Sequence, residues 1–195
     1  MWDEKYDSEE YIYGKQANTF LQENSDALPP GKILCLAEGE GRNAVFLSKK
    51  GYRVTAVDAS EVGLTKARKL ADENDCAIEF IHADLGSFDL GTEKWDGIVS
   101  IFCHVPLDIR QRLHANLAAA LKEDGVLLLE AYTPAQLAHG TGGPPDEELM
   151  MSADLLREEL VGINFSLLQE LEREVVEGSF HSGTGAVVQA IGARG

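Results

Sequence analysis

The chain has 195 residues, a formal net charge of −16 and a hydrophobic share of 44%. That charge repels a duplex or tRNA partner and an acidic membrane surface unless a local basic patch exists, and the lysines and arginines are interleaved with acids, as from Lys66 to Glu73. The length suits one domain over residues 1–195, and no apolar run approaches the ~18 residues a membrane span needs.

Met1-Trp2-Asp3-Glu4-Lys5 lacks the basic and apolar regions of a signal peptide. Cys35, Cys76 and Cys103 lie in or beside apolar runs with no CxxC pair, so reduced, buried thiols in a cytoplasmic protein are expected, without a disulfide framework or a metal site. Residues 2–28 are rich in aromatics: Trp2, Tyr6, Tyr11, Tyr13 and Phe20. Asp7-Ser8-Glu9-Glu10 reads as a helix-starting turn, and Ala17 to Leu28 as a short amphipathic helix. Residues 1–30 either pack on a sheet or cap a site as a flap; both roles stay open. Pro29-Pro30-Gly31 ends the helix.

Ile33 to Ala37 is an apolar run, read as a buried parallel strand. It leads into Gly39-x-Gly41 and then into Ala44-Val45-Phe46-Leu47, a helix start. Strand, glycine turn and helix bring bare backbone N–H groups against a nucleotide-like ligand. Asn43 to Lys50 is the first crossover helix, closed by Gly51. Arg53 to Asp58 is the second strand. An acid at the carboxyl end of such a strand accepts hydrogen bonds from a ribose diol, which assigns Asp58. Ser60 caps the next helix, and Leu64, Ala67, Leu70 and Ala71 form its apolar face. Ala77 to Ile81 is the third strand. Asp84, in the turn that follows, supplies the acceptor a purine amine needs beside a backbone N–H; His82 reads as a loop residue.

Trp95 to Phe102 is the fourth strand, breaking into Cys103-His104-Val105-Pro106. Asp108 caps a helix whose Ile109, Leu113, Leu117 and Leu121 share one face, and Gly125 stops it. Val126 to Ala131 is the fifth strand, apolar throughout and so buried on both faces. Five β-α units predict a right-handed, Rossmann-like, doubly wound α/β sheet. Residues 31–132 would hold the cofactor. Residues 133–195 would add a long Gly/Pro-rich lid loop (Gly140 to Pro145), a helix from Ser152 to Leu160, and strands Phe165 to Val176 and Thr184 to Gly192 joined by Gly178 to Gly183. The sheet is then seven-stranded and mostly parallel with an antiparallel last strand, helices on both faces.

This order of parts resembles the class I S-adenosylmethionine-dependent methyltransferases from Ile33 to Ala193. Glu38-Gly39-Glu40-Gly41-Arg42-Asn43-Ala44, Trp2…Tyr11-x-Tyr13-Gly14 and Thr141-Gly142-Gly143-Pro144 are similar to the branch of tellurite-resistance and thiopurine-type enzymes. The resemblance implies S-adenosylmethionine as co-substrate, no metal, and methyl transfer to a small soft nucleophile: a thiol, or a selenium or tellurium oxyanion. It implies a cofactor set of Ala37, Glu38, Gly39, Gly41, Asn43, Asp58, Ala59, Asp84, Leu85 and Phe102, with Tyr11 and Tyr13 closing over it. The Phe102 to Pro106 loop would face the methyl group. This chain departs from the family at Cys35, where an acid is common, and at Ala37, where a turn glycine is common. Glu38 or Glu40 would then contact the cofactor's ammonium.

Near-attack alignment is the main task in methyl transfer, and a neutral thiol also benefits from a base or a cation. His104, His181 and Arg173 are the candidates on the acceptor side, with Tyr132 lining the pocket and Cys103 a small buried residue. Two rival readings stand: a non-catalytic S-adenosylmethionine or nucleotide sensor, and an NAD(P)-dependent oxidoreductase using Gly39-x-Gly41-x-x-Ala44 as a dinucleotide fingerprint. The terminal antiparallel pair and the absence of a Tyr-x-x-x-Lys motif weigh against the oxidoreductase. The expected partner is a small-molecule acceptor, neither nucleic acid nor membrane, and oligomeric state is left open.

Overall fold

The computed structural model describes residues 2–178 and 181–195, with residues 181 and 182 described in backbone alone. The strands are β1 (Lys32–Leu36), β2 (Arg53–Asp58), β3 (Ile78–His82), β4 (Trp95–Ile101), β5 (Leu121–Tyr132), β6 (Ile163–Glu177) and β7 (His181–Arg194). They form one sheet in the order β3-β2-β1-β4-β5-β7-β6. The pairs among β1 to β5 are parallel, and β7 runs antiparallel to both β5 and β6. The helices are α1 (Trp2–Tyr6), α2 (Thr19–Asn24), α3 (Arg42–Lys49), α4 (Glu61–Glu73), α5 (Leu107–Ala120) and α6 (Ala153–Glu159). No helix among the described residues is long and apolar enough to cross a membrane.

Alternation along β1 explains its unbroken apolar run. Leu34 and Leu36 join a core under α5 and α6 with Ile98, Leu113, Leu117, Leu127 and Leu156. Ile33 and Cys35 point the other way, to Phe20, Leu21, Leu47 and Val99. Successive side chains leave a strand on opposite faces, so a strand covered on both sides must be apolar at every step.

Four boundaries differ from the sequence reading. The Asp7 to Glu10 stretch follows a helix instead of starting one. Helix α5 begins after Pro106 with no side-chain cap, leaving Asp108 inside its first turn. It also stops at Ala120, although the apolar period continues to Leu121. Leu121 pairs with Trp95, so the chain leaves the helix to extend the sheet, and Asp124 (φ +61°) and Gly125 lie inside β5. The terminal hairpin is longer than expected, with His181 to Gly183 belonging to β7.

Strand order reverses between β1 and β4. In a parallel sheet the crevice at such a switch point, outside the strands' carboxyl ends, is where ligands bind. The first residue beyond each of these strands, Ala37 (φ +49°) and Phe102 (φ +51°), is left-handed. Non-glycine residues rarely hold that conformation, and those that do cluster at functional edges.

Candidate active site

The glycine turn is assembled by its own neighbours. Gly41 (φ +89°) caps α3, and a Cβ there would stand 2.7 Å from the Ala67 Cβ, so the α3–α4 contact requires glycine. Glu38 folds back onto α3, its Oε1 accepting the Ala44 N–H at 2.7 Å. Burial pushes its carboxyl up to about 7, against the lowering effect of the helix-start N–H groups. Glu40 lies 2.5 Å from Lys66 Nζ and accepts the Tyr13 N–H. Both glutamates therefore have partners within the protein.

Asp58 ends β2 and is only 7% exposed. Its Oδ2 accepts the Gly39 N–H and its Oδ1 accepts the Ser60 N–H, both at 2.8 Å. Burial raises its pKa, and the Ser60, Gly39 and Ala59 N–H groups oppose that rise. An ionised carboxylate has about four acceptor positions, and capacity left over by these N–H groups can take a ribose hydroxyl. Asp84 follows β3 on the same edge; the Ala83 N–H donates to the Asp58 carbonyl at 3.0 Å. Asp84 is exposed, with Oδ1 accepting the Gly86 N–H at 2.7 Å, while Leu85 is buried in the core. Exposed Ala59 links the Asp58 turn to His82, whose Nε2 is 3.0 Å from the Ala59 carbonyl.

On the β4–β5 side, Phe102 stacks on Tyr132 with ring centroids 4.6 Å apart, and His104 stacks on Tyr132 at 5.7 Å. The Phe102 N–H donates to the Glu130 carbonyl at 2.8 Å. The Tyr132 N–H donates to His104 Nε2 at 3.0 Å, so the ring proton belongs on Nδ1. In this arrangement Nε2 is engaged by the main chain. Burial, with Asp58 adding to it, pushes the Cys103 thiol up to about 12, leaving it a neutral small residue.

Arg173 is not available as an anion partner. It donates to Glu130 from Nε at 2.8 Å and from Nη2, and to Glu177 at 3.2 Å, and its charge is matched in the interior. The His181 side chain lies outside the described residues. Asn43 anchors the N-terminal segment instead of facing the crevice: its Oδ1 accepts the Asn18 N–H at 2.9 Å.

Tyr6 occupies the place expected of Tyr11 and Tyr13. Its ring lies against Gly39 and Gly63, where a Cβ would come within 2.6 Å and 3.1 Å of it. Burial and the carboxylates of Asp58, Glu40 and Glu38 all raise its pKa. Helix α1 is held there by Asp3, which accepts from Ser60 Oγ at 2.5 Å and from the Val62 N–H at 3.3 Å. Tyr11 instead donates to the Lys66 carbonyl at 3.0 Å, and Tyr13 meets Tyr6 edge-on at 6.4 Å. The aromatic spacing signals a cover but not which ring reaches the glycines. The lid loop is tied down by Gln136, which donates to Thr141 Oγ1 and to the Gly142 carbonyl at 3.0 Å each and accepts the Ala186 N–H at 2.8 Å.

Residues 33–125 match the family model of the methyltransferase domain. A protein of Geobacillus sp. (strain WCH70) that bears a methyltransferase name is 32% identical over 114 residues, 55% of this chain and 45% of that protein. The chain thus spans less than half the length of the sequence relatives it matches. Among solved structures, a protein of echinomycin biosynthesis, described for the conversion of a disulfide bond into a thioacetal group, superposes with a TM-score of 0.76 at 22% identity, covering 99% of this chain and 90% of that one. TehB from Haemophilus influenzae superposes at 0.74 with 18% identity, covering 100% of this chain and 66% of that one. At these identities the structural likeness concerns the fold.

Proposed function

We propose that this chain, whose residues 33–125 match the methyltransferase-domain family model, is a class I S-adenosylmethionine-dependent enzyme that transfers a methyl group to a small molecule with a soft nucleophilic atom. The observation that carries the reading is Asp58: a carboxylate at the switch-point edge, oriented by the Gly39 and Ser60 N–H groups and with acceptor capacity left for a ribose hydroxyl. The cradle fits the co-substrate, since Gly39 and Gly41 leave the main chain bare where a Cβ would fill the space. When bound, S-adenosylmethionine supplies a methyl group on a positively charged sulfur.

Asp58 accepts the ribose hydroxyls, and Ala59, Asp84 and Leu85 flank the adenine. Ala37 to Gly41 lie along the methionine portion. The Asp58 carboxylate, when ionised, favours a cation at this edge. Phe102, His104 and Tyr132 form an aromatic wall for the acceptor. Arg173 is already paired and His104 Nε2 already accepts, so the acceptor must bring its own nucleophilicity. This favours sulfur or selenium over an oxyanion. The residues' contribution is alignment, which can be worth ~7–11 kcal/mol.

A panel of thiols, selenols, selenite and tellurite, incubated with S-adenosylmethionine and read by mass spectrometry, tests the proposal. Methylated thiol or selenol is the expected product. Tight co-substrate binding with no methylated product from any acceptor would favour a sensor instead.

A further inference from the structure

We propose that Arg42 and Glu177 are the catch of a two-part cover, fastening the N-terminal strap (residues 12–18) and the tip of the β6–β7 hairpin to the glycine turn, so that ligand passes only when this catch opens. The proposal rests on the co-substrate reading above for what passes, and on the contacts below for the catch itself. Asp58, Cys103 and Tyr132 are buried, with Tyr6 against Gly39 and Gly143 of the Gly/Pro-rich loop against Tyr132. A ligand reaching Asp58 must therefore displace part of the cover.

Arg42 is the first residue of α3, directly after Gly41, and is itself buried. Its Nη1 donates to the carbonyls of Tyr13 at 3.2 Å and Gln16 at 3.4 Å, both in the strap. Its Nη2 donates to Glu177 Oε2 at 2.5 Å, at the end of β6. Glu177 Oε1 in turn accepts from Asn18 Nδ2 at 2.8 Å, closing the circuit back to the strap. One residue further on, Gly178 (φ +68°) lies so close to the strap that a Cβ would fall 2.0 Å from the Ile12 carbonyl oxygen. Main chain meets main chain there, which only glycine permits.

Arg42 and Arg173 face Glu130 and Glu177, so two cations balance two carboxylates in the interior. A balanced, hydrogen-bonded circuit holds while complete and weakens sharply when one charge is removed. The strap and the end of β6 thus meet at one ion pair beside the glycine turn. Arg42 and Glu177 touch no ligand; they are positioning residues.

The test uses the whole chain, Glu177→Gln and Gly178→Ala, with Asp96→Asn as control. Asp96 forms a more exposed ion pair with Lys122 at the opposite end of the sheet. Amide hydrogen exchange is followed at residues 12–18 without ligand, and dissociation of S-adenosylhomocysteine is followed by stopped-flow chase. The catch predicts exchange at residues 12–18 at least tenfold faster, and release at least tenfold faster, in both test variants and in neither case for Asp96→Asn. If Glu177→Gln does not fold, Gly178→Ala decides. Unchanged exchange in a folded variant overturns the catch even if no ligand binds. Faster exchange with unchanged release overturns the gating role alone. Failure of the parent chain to bind S-adenosylhomocysteine would count against the co-substrate reading, while the exchange result still judges the catch.

Discussion

Glu38 is a carboxyl whose surroundings oppose its charge. Burial holds it at about 7, above the ~4.3 of an unfolded glutamate. Between those values the folded chain keeps a proton that the unfolded chain has lost, so stability falls as pH rises from about 4.5 to 7 and then levels. Burial raises Asp58 and Glu130 in the same direction. Glu38→Gln keeps the acceptor for the Ala44 N–H and removes the titration. By urea unfolding it should match the parent near pH 4.5 and exceed it at pH 8 by on the order of 1–3 kcal/mol. An offset equal at both pH values would mean that Glu38 does not titrate in this window. Ala37 offers a second test. A left-handed alanine costs ~1–2 kcal/mol, and glycine's extra freedom in the unfolded chain returns ~0.5–1 kcal/mol of that. Ala37→Gly should therefore raise the urea midpoint, by up to about 1 kcal/mol, with the slope unchanged. A lower midpoint would show that Ala37 packs better than its φ of +49° suggests.

Among the elements, β6 and β7 hold the charges that the crevice does not use. Glu130 on β5 is 0% exposed, and Arg173 reaches it from β6 across β7. Arg173→Met would leave Glu130 buried with only the Gln189 amide beside it, at 3.3 Å. Breaking a buried pair from one side typically costs 3–5 kcal/mol, so unfolding midpoints should drop by about that much. A change below about 1 kcal/mol would instead mark Arg173 as solvated and free to meet an anion. The elements were unevenly legible in the sequence. Helices α3 and α4 could be read because local signals agree there: Gly41 and Gly51 bound one, Ser60 and Asn74 the other. The end of α5 was not, because Leu121 satisfies the helical period while its partner Trp95 lies across the sheet. The pairing of Arg42 with Glu177 is hidden in the sequence for a related reason. A charged residue in a strand or helix looks solvated until the fold brings its partner to it.

For the whole molecule, the strand order converts scattered acids into one edge. Asp58 and Asp84 were legible as strand-end acids, and adjacent β2 and β3 bring them together. What the edge becomes depends on parts far apart in the chain, Tyr6 from α1 and the hairpin tip at Gly178, which no local pattern connects. A ligand at ~100 times its dissociation constant adds about 2.7 kcal/mol to stability. For a domain of this size that corresponds to a rise of roughly 5–10 °C in Tm. S-adenosylmethionine and S-adenosylhomocysteine should each produce it in a thermal melt, and NADH should not; the reverse pattern would restore the oxidoreductase. The most direct test of the central claim is calorimetric titration of S-adenosylmethionine into the parent chain and into folded Asp58→Ala. Loss of charge-assisted bonds worth about 1.5–3 kcal/mol should weaken binding by roughly 10- to 150-fold, whereas equal affinity in the two proteins would contradict a ribose site at the end of β2.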